Sequence, residues 1–257
     1  MLLAIDIGNS NVVFGLFKDR VLTGPWRLST EPARTADEYG VLTVELLRAA
    51  GIRPDQVTDL ILSSVVPGLI PVFTQLAETR FHCTPLLVSP DLETGLKLSY
   101  TNPRELGVDR LVNATAAYAR YRATVIVIDF GTATTFDAIT QAGEFLGGVI
   151  APGLGVAADA LAARTAQLPK VPLVPPKTTI GRDTVSSIQS GLLYGYAGLV
   201  DAIVIRMRAE LGQNATVIAT GGLASVIAPE CQTIQEVRPL LTLEGLELLH
   251  RLTRGDS

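Results

Sequence analysis

Two aspartates of this chain, Asp6 and Asp129, sit in the same local setting. Each follows an apolar run, and each is followed at the second position by glycine and then by small hydroxyl or amide residues: Asp6-Ile7-Gly8-Asn9-Ser10-Asn11 and Asp129-Phe130-Gly131-Thr132. They stand 123 positions apart in a chain of 257, so the second stretch repeats the first near the halfway point. Each stretch reads as a buried strand, a tight turn and a second strand rich in β-branched residues, with the acid at the turn. Glycine lets backbone approach a ligand closely. Exposed N–H groups in such a turn make an anion site of phosphate size. A carboxylate beside phosphate makes chemical sense when a cation lies between them. Two such turns facing one another would form a nucleotide cleft between related halves. Taken alone, Gly8 to Asn11 would equally suit a type I′ hairpin turn, where Asn and Gly are favoured; the repeat favours phosphate.

A third acid, Asp109, lies in Gly107-Val108-Asp109-Arg110. One reading makes Asp109 a helix cap and Arg110 half of a surface ion pair. The other lets Asp109 take the proton of a substrate hydroxyl as it attacks phosphorus, leaving Arg110 for an acidic substrate group or for transition-state charge. Gly147-Gly148 and Gly221-Gly222 follow or flank strands; either pair suits a tight strand-to-helix turn, and in a nucleotide cleft they would let adenosine and ribose lie against backbone. No P-loop, no dinucleotide Gly-x-Gly-x-x-Gly between strand and helix and no Gly-x-Ser-x-Gly occurs, and His82 and His250 are remote from these motifs.

The elements that must position these residues alternate. Strands are expected at 2–7 and 11–17, joined by Gly8-Asn9-Ser10. Thr35 and Glu38 have capping-box spacing before a helix over 37–50 that stops at Gly51. A buried strand at 58–65 ends at Pro67-Gly68, and a helix over 69–80 and a strand at 86–89 follow. Residues 89–103 read as a polar connection, and 103–121 as a helical stretch carrying Asp109. Strands at 124–129 and 134–140 repeat the opening hairpin. The glycine-rich element 147–153 precedes a helix over 154–167, and 169–182 form a loop. Asp183 or Thr184 caps a long helix to Leu211, whose Gly191, Gly195 and Gly198 make one face flat enough for close helix packing. A strand at 215–219 and a helix at 242–253 complete the chain. This alternation is that of three-layer α/β domains.

Composition agrees with a globular protein. Hydrophobic residues are 47% and charged residues 18% of the chain, enough apolar surface to bury a full core. The formal net charge is −4 without a basic stripe, which argues against nucleic acid as a partner. Two cysteines, Cys83 and Cys231, cannot build a disulfide framework, and Cys83 beside His82 lacks a second ligand pair for zinc. A reducing cytoplasm is the expected compartment. Met-Leu-Leu-Ala-Ile-Asp lacks the basic start of a signal peptide. The apolar stretch 188–205 is interrupted by Gln189, Ser190, Gly191 and Asp201, so a buried helix is expected there and no membrane partner. From the residues alone, the reading stops at an ATP-dependent phosphotransferase acting on a hydroxyl.

Asp6-x-Gly8-Asn9-Ser10, Gly107-x-Asp109-Arg110, Asp129-Phe130-Gly131-Thr132-Ala133-Thr134 and Gly147-Gly148-x-Ile150-x-Pro152-Gly153 together resemble the type III pantothenate kinases. That family lies within the superfamily of acetate and sugar kinases, heat-shock chaperones and actin. The likeness covers essentially the whole chain, in order; Ser10 stands where Thr is commoner in the family, and both offer a hydroxyl. The resemblance implies an α/β fold of two duplicated ribonuclease H-like three-layer domains, the actin-like ATPase fold, with residues 1–115 and 116–257 as the halves. It implies ATP-dependent phosphorylation of pantothenate to 4′-phosphopantothenate, the first step of coenzyme A biosynthesis. Asp6, Ile7, Gly8, Asn9, Ser10, Asn11, Val12 and Val13 would form the ATP phosphate loop, with Thr132 opposite. Asp109 would be the general base, and Tyr100, Gly107, Val108, Arg110 and Thr184 would contact pantothenate, Thr184 across a homodimer interface. Asp129 would hold a monovalent cation, K⁺ or NH₄⁺, and Mg²⁺ would accompany ATP. The rival reading is a nucleotide-binding accessory factor of transcription without phosphoryl transfer, which has no need of an acid at position 109. A sugar kinase on the same fold would usually be longer.

Overall fold

The computed structural model describes residues 1–212 and 214–255. Its chain forms two compact units, Met1–Gly95 with Thr101–Ala116 and Leu240–Ser257, and Leu96–Tyr100 with Ala117–Pro239. The last helix, although drawn from the end of the sequence, thus counts with the first unit.

The first unit is built on a five-stranded sheet. Its strands are β1 (Leu2–Ile7), β2 (Asn11–Lys18), β3 (Val21–Ser29), β4 (Asp59–Ser64) and β5 (Leu86–Leu87), in the spatial order β3-β2-β1-β4-β5. The first three form an antiparallel meander, while β4 and β5 join β1 in parallel. The central strand is buried on both faces, as its uninterrupted apolar run requires, and Asp6 is the one half-buried residue between Leu2 and Ile7. Side chains alternate along it. Leu3, Ile5 and Ile7 join Tyr39 and Leu47 of α1 (Ala36–Ala49) and Phe73 and Leu76 of α2 (Ile70–Leu76). Leu2 and Ala4 face the other way, with Ile61 of β4, onto Val112 of α3 (Val108–Tyr121) and Leu243, Leu246 and Leu249 of the terminal helix, which spans Leu241–Arg254. The terminal helix and α3 meet so closely that a Cβ on Gly245 would lie 2.5 Å from the Val112 carbonyl oxygen.

The second unit repeats that plan. Its strands are β6 (Lys97–Leu98), β7 (Val125–Phe130), β8 (Ala133–Ile139), β9 (Glu144–Pro152), β10 (Thr216–Thr220) and β11 (Glu236–Val237), ordered β11-β10-β7-β8-β9-β6. Read from β9 to β11, strand order and direction match the first sheet: an antiparallel meander β7-β8-β9, then β10 and β11 in parallel, with β6 added beyond β9. The helices α4 (Leu154–Arg164), α5 (Thr184–Leu211) and α6 (Ala224–Ile227) follow in chain order, and the terminal helix is α7. Leu193, Tyr196, Val200, Val204 and Met207 of α5 pack on Ile126, Ile128, Phe130 and Phe136. The Tyr196 hydroxyl pairs with Thr134 Oγ1 at 2.6 Å and donates to the Pro152 carbonyl at 2.6 Å, pinning the helix to the meander. By length and apolarity α5 could cross a membrane; here one face of it forms this core.

The local signals were mostly sound. Thr35 and Glu38 form the expected capping box, with Glu38 N–H donating to Thr35 Oγ1 at 3.3 Å and Thr35 N–H to Glu38 Oε2 at 2.7 Å. Asp183 caps α5, accepting the Ser186 N–H at 2.8 Å. Three expectations change. The glycine-rich element expected at 147–153 is, up to Pro152, the second part of strand β9 (Glu144–Pro152). The helix expected over 69–80 is α only to Leu76, then widens into a π turn over Ala77–Phe81 that ends on left-handed His82 (φ 55°). The helical stretch over 103–121 starts as a 3₁₀ turn, Pro103–Glu105, is interrupted by extended Leu106, and becomes α-helical only at Val108.

Candidate active site

The first hairpin has a three-residue loop. β1 ends at Ile7 and β2 begins at Asn11, with Gly8 N–H donating to the Asn11 carbonyl at 2.9 Å. None of residues 8–11 has a positive φ, which rules out a type I′ turn, since that turn needs two. Such a pair does occur at Asp19 (φ 50°) and Arg20 (φ 67°), between β2 and β3. Thr30, just past the end of β3, braces the loop from behind. Its hydroxyl donates to the Gly8 carbonyl at 2.7 Å and its N–H to the Ser10 carbonyl at 3.1 Å. Thr30 thus holds two of the loop's carbonyls from behind, and the side chains of Asn9, Ser10 and Asn11 are exposed. Ile7 and Val12 are fully buried in the core, so their side chains cannot reach a ligand.

The second hairpin is one residue tighter. Asp6 pairs in register with Val13, seven positions on, but Asp129 pairs with Thr135, six positions on. Its loop is Gly131-Thr132, with Gly131 N–H donating to the Ala133 carbonyl at 3.1 Å. Two glycines wrap it. A Cβ on Gly221 would fall 2.4 Å from Asp129 Oδ1 and 2.6 Å from Phe130 N, and a Cβ on Gly153 would lie 2.3 Å from the Thr132 carbonyl oxygen and 2.5 Å from that of Gly131. Gly153 N–H donates to the Thr132 carbonyl at 3.1 Å. Tyr100, two residues beyond β6, is half-buried; it packs on Phe145 of β9 with ring centroids 6.1 Å apart and stands against Gly147.

Asp109 lies in the first turn of α3. Its Oδ1 accepts the Arg110 N–H at 2.8 Å, and the Arg110 side chain is itself buried. A Cβ on Gly107 would come 2.6 Å from Asp109 Oδ1, so glycine there leaves room for the carboxylate. The helix N-terminus and Arg110 favour the charged acid, but burial outweighs both and pushes the Asp109 carboxyl above its usual range. Through Val108 and Val112, α3 packs on the face of the first sheet that carries Ala4 and Ile61. Alternation along β1 and β4 puts Asp6 and Ser63 on that same face. The first unit therefore brings the first hairpin's acid, Asp6, and the helix that carries Asp109 to one side of one sheet.

Thr184 opens α5 and, with Leu161, Leu168, Arg182 and Ser187, lines a groove of about 620 Å³. Along the same helix Gly191, which lines this groove too, Gly195 and Gly198 are exposed, and an added Cβ on any of them would meet nothing within 4 Å. Among the described residues, no three or more His, Cys, Asp or Glu are grouped to hold a metal. Sequence reasoning missed Thr30, Ser63, Thr135 and Thr220. The last three are buried hydroxyl residues standing in register with Asp6 or Asp129, and only the strand pairing could have singled them out.

The chain matches the family model for type III pantothenate kinase over residues 2–206. It is 52% identical over 254 residues to the type III pantothenate kinase of Geobacter sulfurreducens, covering 99% of this chain and 100% of that one. Among solved structures it is similar to a Baf family transcriptional activator from Campylobacter jejuni, with TM-score 0.60 and 19% identity over 98% of this chain and 99% of the other. It is also similar to an archaeal actin homologue, with TM-score 0.52 and 15% identity over 97% and 99%. At those identities the structures establish the actin-like ATPase fold, and the duplicated sheets agree with it. The kinase relative's length and identity go further: this chain belongs to the type III pantothenate kinase family.

Proposed function

We propose that this kinase transfers the γ-phosphoryl group of ATP to the hydroxyl of pantothenate in the cytoplasm, giving 4′-phosphopantothenate and ADP, the first step of coenzyme A biosynthesis. The observation that carries the mechanism is Asp109: a burial-perturbed carboxylate in the first turn of α3, packed over the sheet face from which Asp6 extends. The hydroxyl oxygen forms a bond to phosphorus as the bond from phosphorus to the ADP oxygen breaks, and Asp109 accepts the hydroxyl proton. Its raised pKa makes it a stronger base than an exposed aspartate. Gly107 gives its carboxylate room, and buried Arg110 offers fixed positive charge for the substrate's carboxylate. The first hairpin's N–H groups and the Asn9, Ser10 and Asn11 side chains hold phosphates.

Two cations fit the residues present. Mg²⁺ needs few protein ligands because it keeps its waters and binds substrate phosphates, which suits the single carboxylate of Asp6 in the first hairpin. When bound, it neutralises phosphate charge. At the second hairpin the oxygens are the Asp129 carboxylate, against Gly221, and the carbonyls of Gly131 and Thr132, against Gly153; oxygen donors of this kind suit K⁺ or NH₄⁺. A coupled ADP-release assay with a panel of hydroxyl acceptors tests the reading. ADP release should require pantothenate and rise at least several-fold with K⁺ or NH₄⁺. No pantothenate-dependent release with either cation present would reject it in favour of a nucleotide-binding accessory protein.

The glycine face of α5 and the groove at Thr184 support a homodimer in which Thr184 reaches the partner's pantothenate. Sedimentation should give twice the 27.3 kDa chain mass. Gly195→Trp should dissociate the dimer and raise the pantothenate KM about tenfold, with the ATP KM unchanged. A fully active wild-type monomer would overturn this part.

A further inference from the structure

We propose that Ser63 is a positioning residue for Asp6, its hydroxyl donating to the Asp6 carboxylate when magnesium–nucleotide is bound. In the parallel pairing of β1 with β4, Asp6 and Ser63 are direct register partners, so their side chains leave adjacent strands on the same face. Ser63 is 0% exposed, and its Oγ has no hydrogen-bond partner among the described residues. Buried hydroxyls are nearly always paired, and an unpaired one is costly. Ser64, the next residue, shows the ordinary outcome: its Oγ donates to the Val66 carbonyl at 3.0 Å and accepts the Val66 N–H at 3.1 Å.

The second unit repeats the arrangement. Thr220 of β10 is the parallel register partner of Asp129 and is 1% exposed. A buried hydroxyl thus stands beside each of the duplicated acids, and at position 63 an apolar side chain would fill the core without an orphaned polar atom. Ser63 is too buried to touch a ligand, so any effect on the reaction runs through a neighbour. A carboxylate accepts at about four sites, so Ser63 adds to the interactions Asp6 already makes. A carboxylate held by a fixed donor presents its other oxygen to the hydrated ion in one orientation, which is how outer partners of metal-binding carboxylates tune affinity.

The inference rests on the kinase reading, and the experiment separates the two. Wild-type protein is first assayed for pantothenate-dependent ADP release, whose absence would reject the kinase reading itself. In Ser63→Ala, the Mg²⁺ concentration for half-maximal rate should rise about tenfold, and Mn²⁺ affinity in the presence of ADP, followed by electron paramagnetic resonance, should fall about as much. The pantothenate KM should not move, and the melting temperature without ligand should be unchanged or higher, since an orphaned hydroxyl is removed. In an Asp6→Asn background, Ser63→Ala should have no further effect on Mn²⁺ affinity, because the two changes share one route. Wild-type metal dependence in Ser63→Ala, or an undiminished effect in the Asp6→Asn background, would overturn the assignment.

Discussion

Asp109→Asn should lower kcat about a thousandfold, leave ATP affinity within about twofold, and raise the melting temperature at neutral pH by roughly 1–3 °C. The kinetic half follows from removing the proton acceptor while keeping its shape: Asn Oδ1 can still accept the Arg110 N–H that Asp109 accepts at 2.8 Å. The stability half follows from the raised pKa. Burial is the largest cause, so the folded protein holds this proton where the unfolded chain has released it. Between the ordinary carboxylate pKa and the raised folded value the native state binds more protons, so stability falls as pH rises through that window and stays lower above it. Asparagine has no proton to release and escapes the loss; below the ordinary carboxylate pKa the two proteins should melt alike. In the wild type, kcat/KM should fall on the acid side with a midpoint above the usual aspartate range, because the base must be unprotonated to act. Thermal melts across pH, nucleotide titration and rate profiles check all three. Equal loss of ATP binding and turnover would instead make Asp109 a structural helix cap.

The parts of the site legible in the sequence were those carried by spacing. Asp6 and Asp129 were visible because the same acid-x-glycine turn recurs, and that recurrence predicted two related halves, which the matching strand orders bear out. What stayed hidden depends on pairing across strands or on conformation. Strand β9 escaped because Gly147-Gly148 lowers strand propensity, although the cross-strand pairs from Ala133–Pro152 to Ile139–Phe145 hold it in the sheet. The two-residue strands β6 and β11 have no periodicity to read. The turn at Asp19-Arg20, with positive φ at both positions, carries neither glycine nor asparagine, and arginine seldom adopts that conformation, so nothing in the sequence marks it. Thr30 braces Gly8 from 22 residues away. Ser63 looks like the polar end of an apolar strand until register sets it beside Asp6. The return of α7 to the first sheet is settled by what Leu243, Leu246 and Leu249 pack against, which an amphipathic pattern alone does not reveal.

Gly221→Ala should destabilise the protein by about 3–5 kcal/mol, lowering its melting temperature by roughly 8–15 °C, and should abolish the response to K⁺ or NH₄⁺. Three atoms stand where the new methyl group must go: Asp129 Oδ1 at 2.4 Å, Phe130 N at 2.6 Å and Phe130 C at 2.7 Å. Two are backbone of β7, a central strand of the second sheet, and cannot swing aside as a side-chain end could. The φ of +93° adds strain of its own, since alanine rarely adopts it. The clash can be relieved only by shifting the strand end or expelling the Asp129 carboxylate from its place under the glycine, and either ruins the oxygen set assigned to the cation. Gly222 is the internal control. Read from sequence, the pair Gly221-Gly222 served one purpose, a flat backbone wall. In the structure Gly222 is exposed, has no positive φ and has nothing within 4 Å of an added Cβ. Gly222→Ala should therefore leave stability within about 0.5 kcal/mol of wild type. If both variants kept full activity and cation response, Asp129 would not be the cation's ligand. If both lost nucleotide binding while folded, the glycines would act on the nucleotide directly, and the steric account of Gly221 would give way to the wall.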